Sequence, residues 1–256
     1  MSRIYKAFDK KKAFIAFLTA GDPDYETSLA NFRAVIEAGA DLIEIGIPFS
    51  DPIAEGPVIQ EADIRALSSG MTTDKAFQLV SDLRKDYDIP MVFMTYANPV
   101  FHYGAERFFR KAKEAGIDGI IVPDCPYEER HEFDEISAQN GIDYISMIAP
   151  TSEDRIKFVA GDAKGFIYVV SSMGVTGVRN EINTDLESIM KLIRESTDTP
   201  AAIGFGISTP DQAEKMSHIA DGVIVGSAMV RIVAEYGTEA PDKLSEYVRS
   251  MTAVLR

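Results

Sequence analysis

The 256-residue chain is 46% hydrophobic and 26% charged, enough to bury a large core and keep a solvated surface. Its formal charge of −14, with no basic stripe, argues against a nucleic-acid partner, and no apolar run approaches the roughly 18 residues of a membrane span. A single cysteine, Cys125, excludes an internal disulfide framework and suits a reducing cytoplasm, and the apolar run near the start breaks at LTAGDPD without the cleavage pattern of a secretory leader.

The first predicted strand is AFIAFLT, followed by the helical pattern SLANFRAVIEA. The phrase EAGADLIEIG then joins a helix end, a glycine, an aspartate and a β-branched run. It recurs as EAGIDGIIVP, QNGIDYISMI and, without its glycine, HIADGVIVG. Gly39, Gly116 and Gly141 stand where a helix C-terminus takes the left-handed conformation. Eight apolar runs qualify as buried parallel strands: AFIAFLT, DLIEIGI, PMVFMTY, GIIVPD, DYISMI, FIYVVSS, AAIGFG and GVIVG. AERFFRKAKEA, LESIMKLIRES and PDQAEKMSHI are predicted helices between them. EADIRALSSG is predicted as an extra short helix, and PDKLSEYVRSMTAVLR as an amphipathic final one. Eight βα units without a Pro-, Gly- or Ser-rich linker predict a single (β/α)8 TIM barrel over residues 1–256. A doubly wound dinucleotide fold is disfavoured, because AGDPDYE follows the first strand where G-x-G-x-x-G would stand.

On the second predicted strand Ile43, Ile45 and Ile47 share one face, and Leu42, Glu44 and Gly46 the other. The isoleucines form a natural packing set for the helices, so Glu44 is expected to point into the barrel near its C-terminal mouth. No strand run contains lysine, arginine or histidine, so a structural ion pair has no partner on the strands. Burial should then raise the pKa of Glu44 and poise it for acid–base work. Tyr168, in FIYVV, is placed to hydrogen-bond to it. The same inventory rules out a Schiff-base lysine at a strand end. His102, His131 and His218 form no ligand cluster, so no metal is expected, and Cys125 lacks the adjacent histidine of a nucleophile.

PFSDPIAEGPVIQ is long for a βα loop and is stiffened by Pro48, Pro52 and Pro57. Glu55 is expected to close over the mouth beside Glu44, while Asp51 either braces the loop or meets a partner. Three glycine-rich turns, SSMGVTG, GFGIS and GSA, follow the last three predicted strands. Each opens towards a helix whose unpaired N–H groups can hold an anion without lysine. Gly177, Gly206, Gly226 and Ser227 therefore form a predicted phosphate cradle, with Ser208 and Asp211 expected to cap the helix after GFGIS. SMGVTGVRNEINTD reads as a lid hinged at Gly174 and Gly177 that brings Thr176 into the site.

EIGIPFSDPIAEGPVIQ, MTYANPVFHYG, VPDCPYEE, SSMGVTG, GFGIS and GSAMV occur in this order along nearly the whole chain. Together they resemble the α-subunit family of tryptophan synthase. The resemblance implies a carbon–carbon lyase of tryptophan biosynthesis. Such an enzyme splits indole-3-glycerol phosphate into indole and glyceraldehyde 3-phosphate by a retro-aldol reaction, with no cofactor in this chain. It implies Glu44 as the acid–base group and Glu55 as acceptor of the indole N–H. Tyr168 and Thr176 would support them, Gly177, Gly206, Gly226 and Ser227 would hold the phosphate, and Phe17, Met94 and Tyr96 would line the indole pocket. It further implies docking on a β subunit that carries pyridoxal phosphate, in an α2β2 assembly, through the loop from Pro48 to Glu55 and the MTYANPVFHYG segment. Two positions depart from the family pattern. Glu55 stands where aspartate is familiar, and one extra methylene shifts its oxygens by about 1.5 Å. Ser172 replaces an arginine in the lid. The competing readings are a free-standing indole-releasing lyase, a non-catalytic subunit that activates a partner, and a sugar-phosphate isomerase on the same barrel. The last leaves an apolar indole-type pocket unexplained.

Overall fold

Parallel strands wrap around a closed interior in the computed structural model, which describes residues 2–9, 12–170, 185–204 and 206–256. The strands are β1 (Ala13–Thr19), β2 (Leu42–Gly46), β3 (Met91–Met94), β4 (Gly119–Ile121), β5 (Asp143–Tyr144), β6 (Ser146–Ile148), β7 (Ile167–Val170), β8 (Ala201–Gly204) and β9 (Gly222–Val225). The helices are α1 (Tyr25–Glu37), α2 (Pro57–Ser68), α3 (Thr73–Arg84), α4 (Ala97–Tyr103), α5 (Ala105–Ala115), α6 (His131–Gln139), α7 (Glu153–Gly161), α8 (Leu186–Ser196), α9 (Pro210–Ser217), α10 (Ser227–Tyr236) and α11 (Ala240–Ala253). None of the described helices is long and apolar enough to cross a membrane.

The sheet runs β5-β4-β3-β2-β1-β9-β8-β7-β6. The fifth predicted strand, DYISMI, is thus two segments rather than one. β5 pairs with β4, and β6 pairs with β7. Ile145, between them, still donates its N–H to Ile120 O at 2.9 Å. Alternation continues through the break: Tyr144 and Ile148 belong to the outer core, Ile145 to the inner one. The two segments are one stave of the barrel that changes partners halfway, which closes the ring as eight staves.

Alternation sorts the side chains into two layers. Phe14, Ala16 and Leu18 on β1 face the helices, as do Ile43 and Ile45 on β2, while Ile15, Phe17 and Leu42 face the interior. In the helix layer Phe77 meets Phe93 and Phe108 edge-on at 5.7 and 5.3 Å, contacts worth about 0.5–1.5 kcal/mol each beyond area burial. The barrel floor is closed by a 3-10 turn that the sequence reading did not anticipate, Arg3–Phe8. It inserts Ile4 and Ala7 into the interior cluster and leans Phe8 on Phe166 at 5.9 Å.

The start of α2 and the cap of α9 differ from expectation. The extra helix α2 begins at Pro57, four residues before EADIRALSSG, because proline's fixed φ suits a first turn and Gly56 takes the N-cap. Helix α9 is capped by Thr209 in a reciprocal capping box with Gln212, not by Ser208 and Asp211. Ser208 instead donates its N–H and hydroxyl to Gln212 Oε1 at 2.8 and 3.1 Å.

Candidate active site

Glu44 sits at the centre of β2, in register with Phe17 of β1 and Val92 of β3, both inward-facing. It is 1% exposed, and its Oε2 is buried with no hydrogen-bond partner among the described residues. Burial, and then the nearby charge of Glu55, pushes the carboxyl up to about 8. At neutral pH it is therefore a protonated acid in an apolar enclosure, as the strand pattern implied.

Tyr168 of β7 belongs to the same inner cluster. Burial first, then the charges of Glu44 and Glu55, raise its phenol well above the ordinary tyrosine value, so it remains an O–H group. Its hydroxyl lies against Gly204, where an added Cβ would be 2.6 Å from the oxygen.

Glu55 ends the β2–α2 loop just before the N-cap Gly56 and is 5% exposed. The Tyr96 hydroxyl accepts the Ala54 N–H at 3.0 Å and hydrogen-bonds to the Glu55 carboxyl. The other oxygen, Oε2, is buried without a partner among the described residues. Burial raises Glu55 to about 7, opposed by the Tyr96 hydrogen bond and assisted by the charge of Asp124. Two carboxyls with different environments thus share the mouth, the setting in which one serves as acid and the other as anion.

The predicted apolar pocket residues are all buried. Phe17 and Met94 sit in the inner cluster, and Tyr96 caps the start of α4. The Phe17 ring runs past Gly46 and Gly226, where an added Cβ would come within 2.8 and 3.1 Å of it. Absence of side chains at those glycines is what admits the ring. Phe49, from the loop, packs its ring 5.4 Å from that of Tyr96. Asp51 is exposed and accepts from the Ser50 hydroxyl at 2.5 Å, and Ile53 beside it is 72% exposed.

At the far side of the mouth, Gly226 is the N-cap of α10 and Ser227 its first residue, with no side chain occupying the cap. The leading N–H groups of that helix are thereby open to an anion. Gly206, with φ +87°, turns the chain after β8, the strand beside β9. Gly177, Thr176, Gly174 and Ser172 lie outside the described residues. No group of three His, Cys, Asp or Glu side chains suited to a metal occurs among the described residues. Cys125 is half-buried, and burial pushes its thiol up, away from nucleophilic character.

Asp63 was missed. It is a buried carboxyl, 5% exposed, on α2. The signal was present: Ile59, Ala62, Asp63 and Ala66 are the buried face of that helix, and their spacing is that of an apolar stripe. An aspartate in such a stripe is out of place unless the site uses it. Asp124 was also missed; its Oδ1 accepts the Ala97 N–H at 2.9 Å, which orients it beside Glu55.

Comparisons with known proteins fit this geometry. A family model described as "Tryptophan synthase alpha chain" matches residues 5–255. The tryptophan synthase alpha chain of Lacticaseibacillus casei is 46% identical over 251 residues, covering 98% of this chain and 94% of that one. That of Lactiplantibacillus plantarum is 48% identical over 256 residues, covering 100% and 97%. Among solved structures, a chain of the tryptophan synthase complex from Pyrococcus furiosus superposes with a TM-score of 0.87 at 37% identity, over 95% of this chain and 99% of that one. Mycobacterium tuberculosis tryptophan synthase gives a TM-score of 0.90 at 32% identity, over 100% and 98%.

Proposed function

This chain belongs to the tryptophan synthase alpha chain family, lyases that cleave indole-3-glycerol phosphate, and from that premise we propose that Glu44 and Glu55 divide the chemistry between them. The observation that carries the assignment is a buried Glu44 facing the barrel interior, its Oε2 without a partner among the described residues, where burial favours the neutral acid.

The neutral Glu44 carboxyl gives its proton to the indole ring carbon that bears the glycerol chain. The positive charge this creates spreads to the ring nitrogen, whose N–H donates to the Glu55 carboxylate. The Glu44 carboxylate then takes the proton from the neighbouring side-chain hydroxyl. As that hydroxyl becomes the aldehyde carbonyl of glyceraldehyde 3-phosphate, the carbon–carbon bond breaks and its electron pair restores the aromatic ring. Glu44 ends the cycle protonated, as it began. Tyr168 holds the Glu44 end of the pocket, and Phe17, Met94 and Tyr96 enclose the indole. The open helix start at Gly226 and Ser227, with Gly206, holds the phosphate. Thr176 and Gly177 are assigned to the lid and the phosphate by the family resemblance alone. No step calls on a cofactor.

A solved structure that this chain resembles is the tryptophan synthase a2b2 complex of Pyrococcus furiosus. This chain is accordingly the α partner of a β subunit, with pyridoxal phosphate on the β side and a cytoplasmic setting as parts of the same proposal. The exposed Ile53 and Asp51 of the loop suit the docking face.

An indole-release assay with and without a β subunit tests the assignment. Glu44→Gln should abolish cleavage while still binding a phosphate ligand such as glyceraldehyde 3-phosphate. Wild-type turnover in that variant would remove Glu44 from the chemistry. Full activity of the wild-type chain alone would mark it as a free-standing lyase.

A further inference from the structure

Asp63 is a buried carboxyl at the mouth that the steps above leave unused. It accepts a hydrogen bond from the Phe49 N–H, at the start of the β2–α2 loop. The end of that loop is held by Tyr96, through Ala54 and Glu55. The root of the loop meets the holder of its end, because the Phe49 ring packs on the Tyr96 ring at 5.4 Å. Behind Asp63, Asp22 is bound bidentately by Arg65 at 2.7 and 2.8 Å, so the cation two residues along the same helix is already engaged.

We propose that Asp63 is a positioning residue for Glu55, anchoring the root of the catalytic loop. The proposal rests on the reading of Glu55 as acceptor of the indole N–H. Asp63 is pushed up to about 8 by burial and then by the Glu55 charge, against about 7 for Glu55 itself. Glu55 therefore ionises while Asp63 is still protonated, and the neutral Asp63 carboxyl can still accept the Phe49 N–H. The other groups acting on the pair are Tyr96 at the start of α4, whose hydrogen bond favours the Glu55 carboxylate, Asp124 after β4, whose charge opposes it, and Asp22 of the β1–α1 turn, whose charge acts on Asp63.

Asp63→Asn keeps an amide oxygen that can accept the Phe49 N–H, so kcat for indole release should stay close to the wild type. Asp63→Ala loses the anchor, and kcat should fall at least tenfold while KM changes less. Glu55→Gln is measured beside them in the same α2β2 enzyme. If Glu55→Gln destroys activity and Asp63→Ala keeps the wild-type kcat, the Asp63 proposal is overturned and the Glu55 reading stands. An Asp63→Asn kcat as low as that of Asp63→Ala overturns it too, because the rescue by an accepting oxygen has then failed. If Glu55→Gln keeps the wild-type rate, the Glu55 reading falls and takes the proposal with it.

Discussion

Replacing Glu44 by glutamine should make the protein more stable, by an amount that grows with pH. Unfolded, the glutamate side chain gives up its proton near 4.5; folded, it keeps it to about 8. Between those values the native state holds one more proton than the unfolded chain. The protonated group's contribution is therefore complete below about 4.5 and is lost as pH rises through about 8. Each pH unit in that window costs the wild type about 1.4 kcal/mol, and the glutamine variant none. From pH ~6 to ~8 the stability gap should open by about 2.3 kcal/mol, allowing for half-ionisation of the folded group at the upper end. With unfolding entropy of about 2.1 cal/mol/K per residue over a chain of this length, that is a widening of about 4–5 °C in Tm. Comparing the same two proteins at two pH values cancels any constant cost of burying the amide. Calorimetry or thermal circular dichroism of both proteins gives the number directly. A Tm gap that stays flat across the range would mean that Glu44 does not enter the fold as a neutral acid, and the proton-delivery step would lose its basis.

Activity should follow a narrow bell in pH. kcat/KM falls below about 7, where Glu55 takes up a proton, and above about 8, where Glu44 loses its own. A flat profile from about pH 6 to 9 would dissociate both groups from turnover. Glu55→Asp should retain activity, since the family pattern places aspartate there. Glu55→Ala should lose about a hundredfold or more in indole release, and an active alanine variant would reject its role. Gly204→Ala would set a methyl 2.6 Å from the Tyr168 oxygen. The ring must tilt, which should cost about 1–3 kcal/mol in urea denaturation and reduce kcat, whereas unchanged kinetics would show that the place of Tyr168 does not matter.

The parts of the structure legible in the sequence are those governed by local pattern. Three isoleucines on one face of the predicted strand DLIEIGI turned Glu44 inward without any knowledge of its neighbours. An inventory of cations along the strands then established that nothing there would neutralise it. The partner change within DYISMI escaped, because alternation is unbroken through Ile145 and only the ring as a whole decides which neighbour each half meets. Pro57 was read as a loop stiffener although its geometry serves equally as a helix start. Asp63 lay in plain sight on an apolar stripe, but E-A-D-I-R also reads as an ordinary solvated helix face. Gly226 illustrates a doubled constraint: it uncaps the helix for an anion and gives passage to Phe17, and only the second demand needs the tertiary structure to be seen.

The 3-10 turn beneath the barrel also bears on how the acid is replenished. With Ile4 and Ala7 filling the base and Leu42, Val92 and Phe166 stacked in the interior above them, solvent has no route to Glu44 from below through the described residues. An occupied pocket blocks the approach from above. A donor sealed at both ends must recover its hydrogen from the molecule it has just protonated, and the glycerol hydroxyl supplies one. While the pocket is occupied that carboxyl exchanges no proton with bulk water, so the hydrogen it regains is the one the substrate hydroxyl gave up, and it equilibrates with solvent only once the products leave.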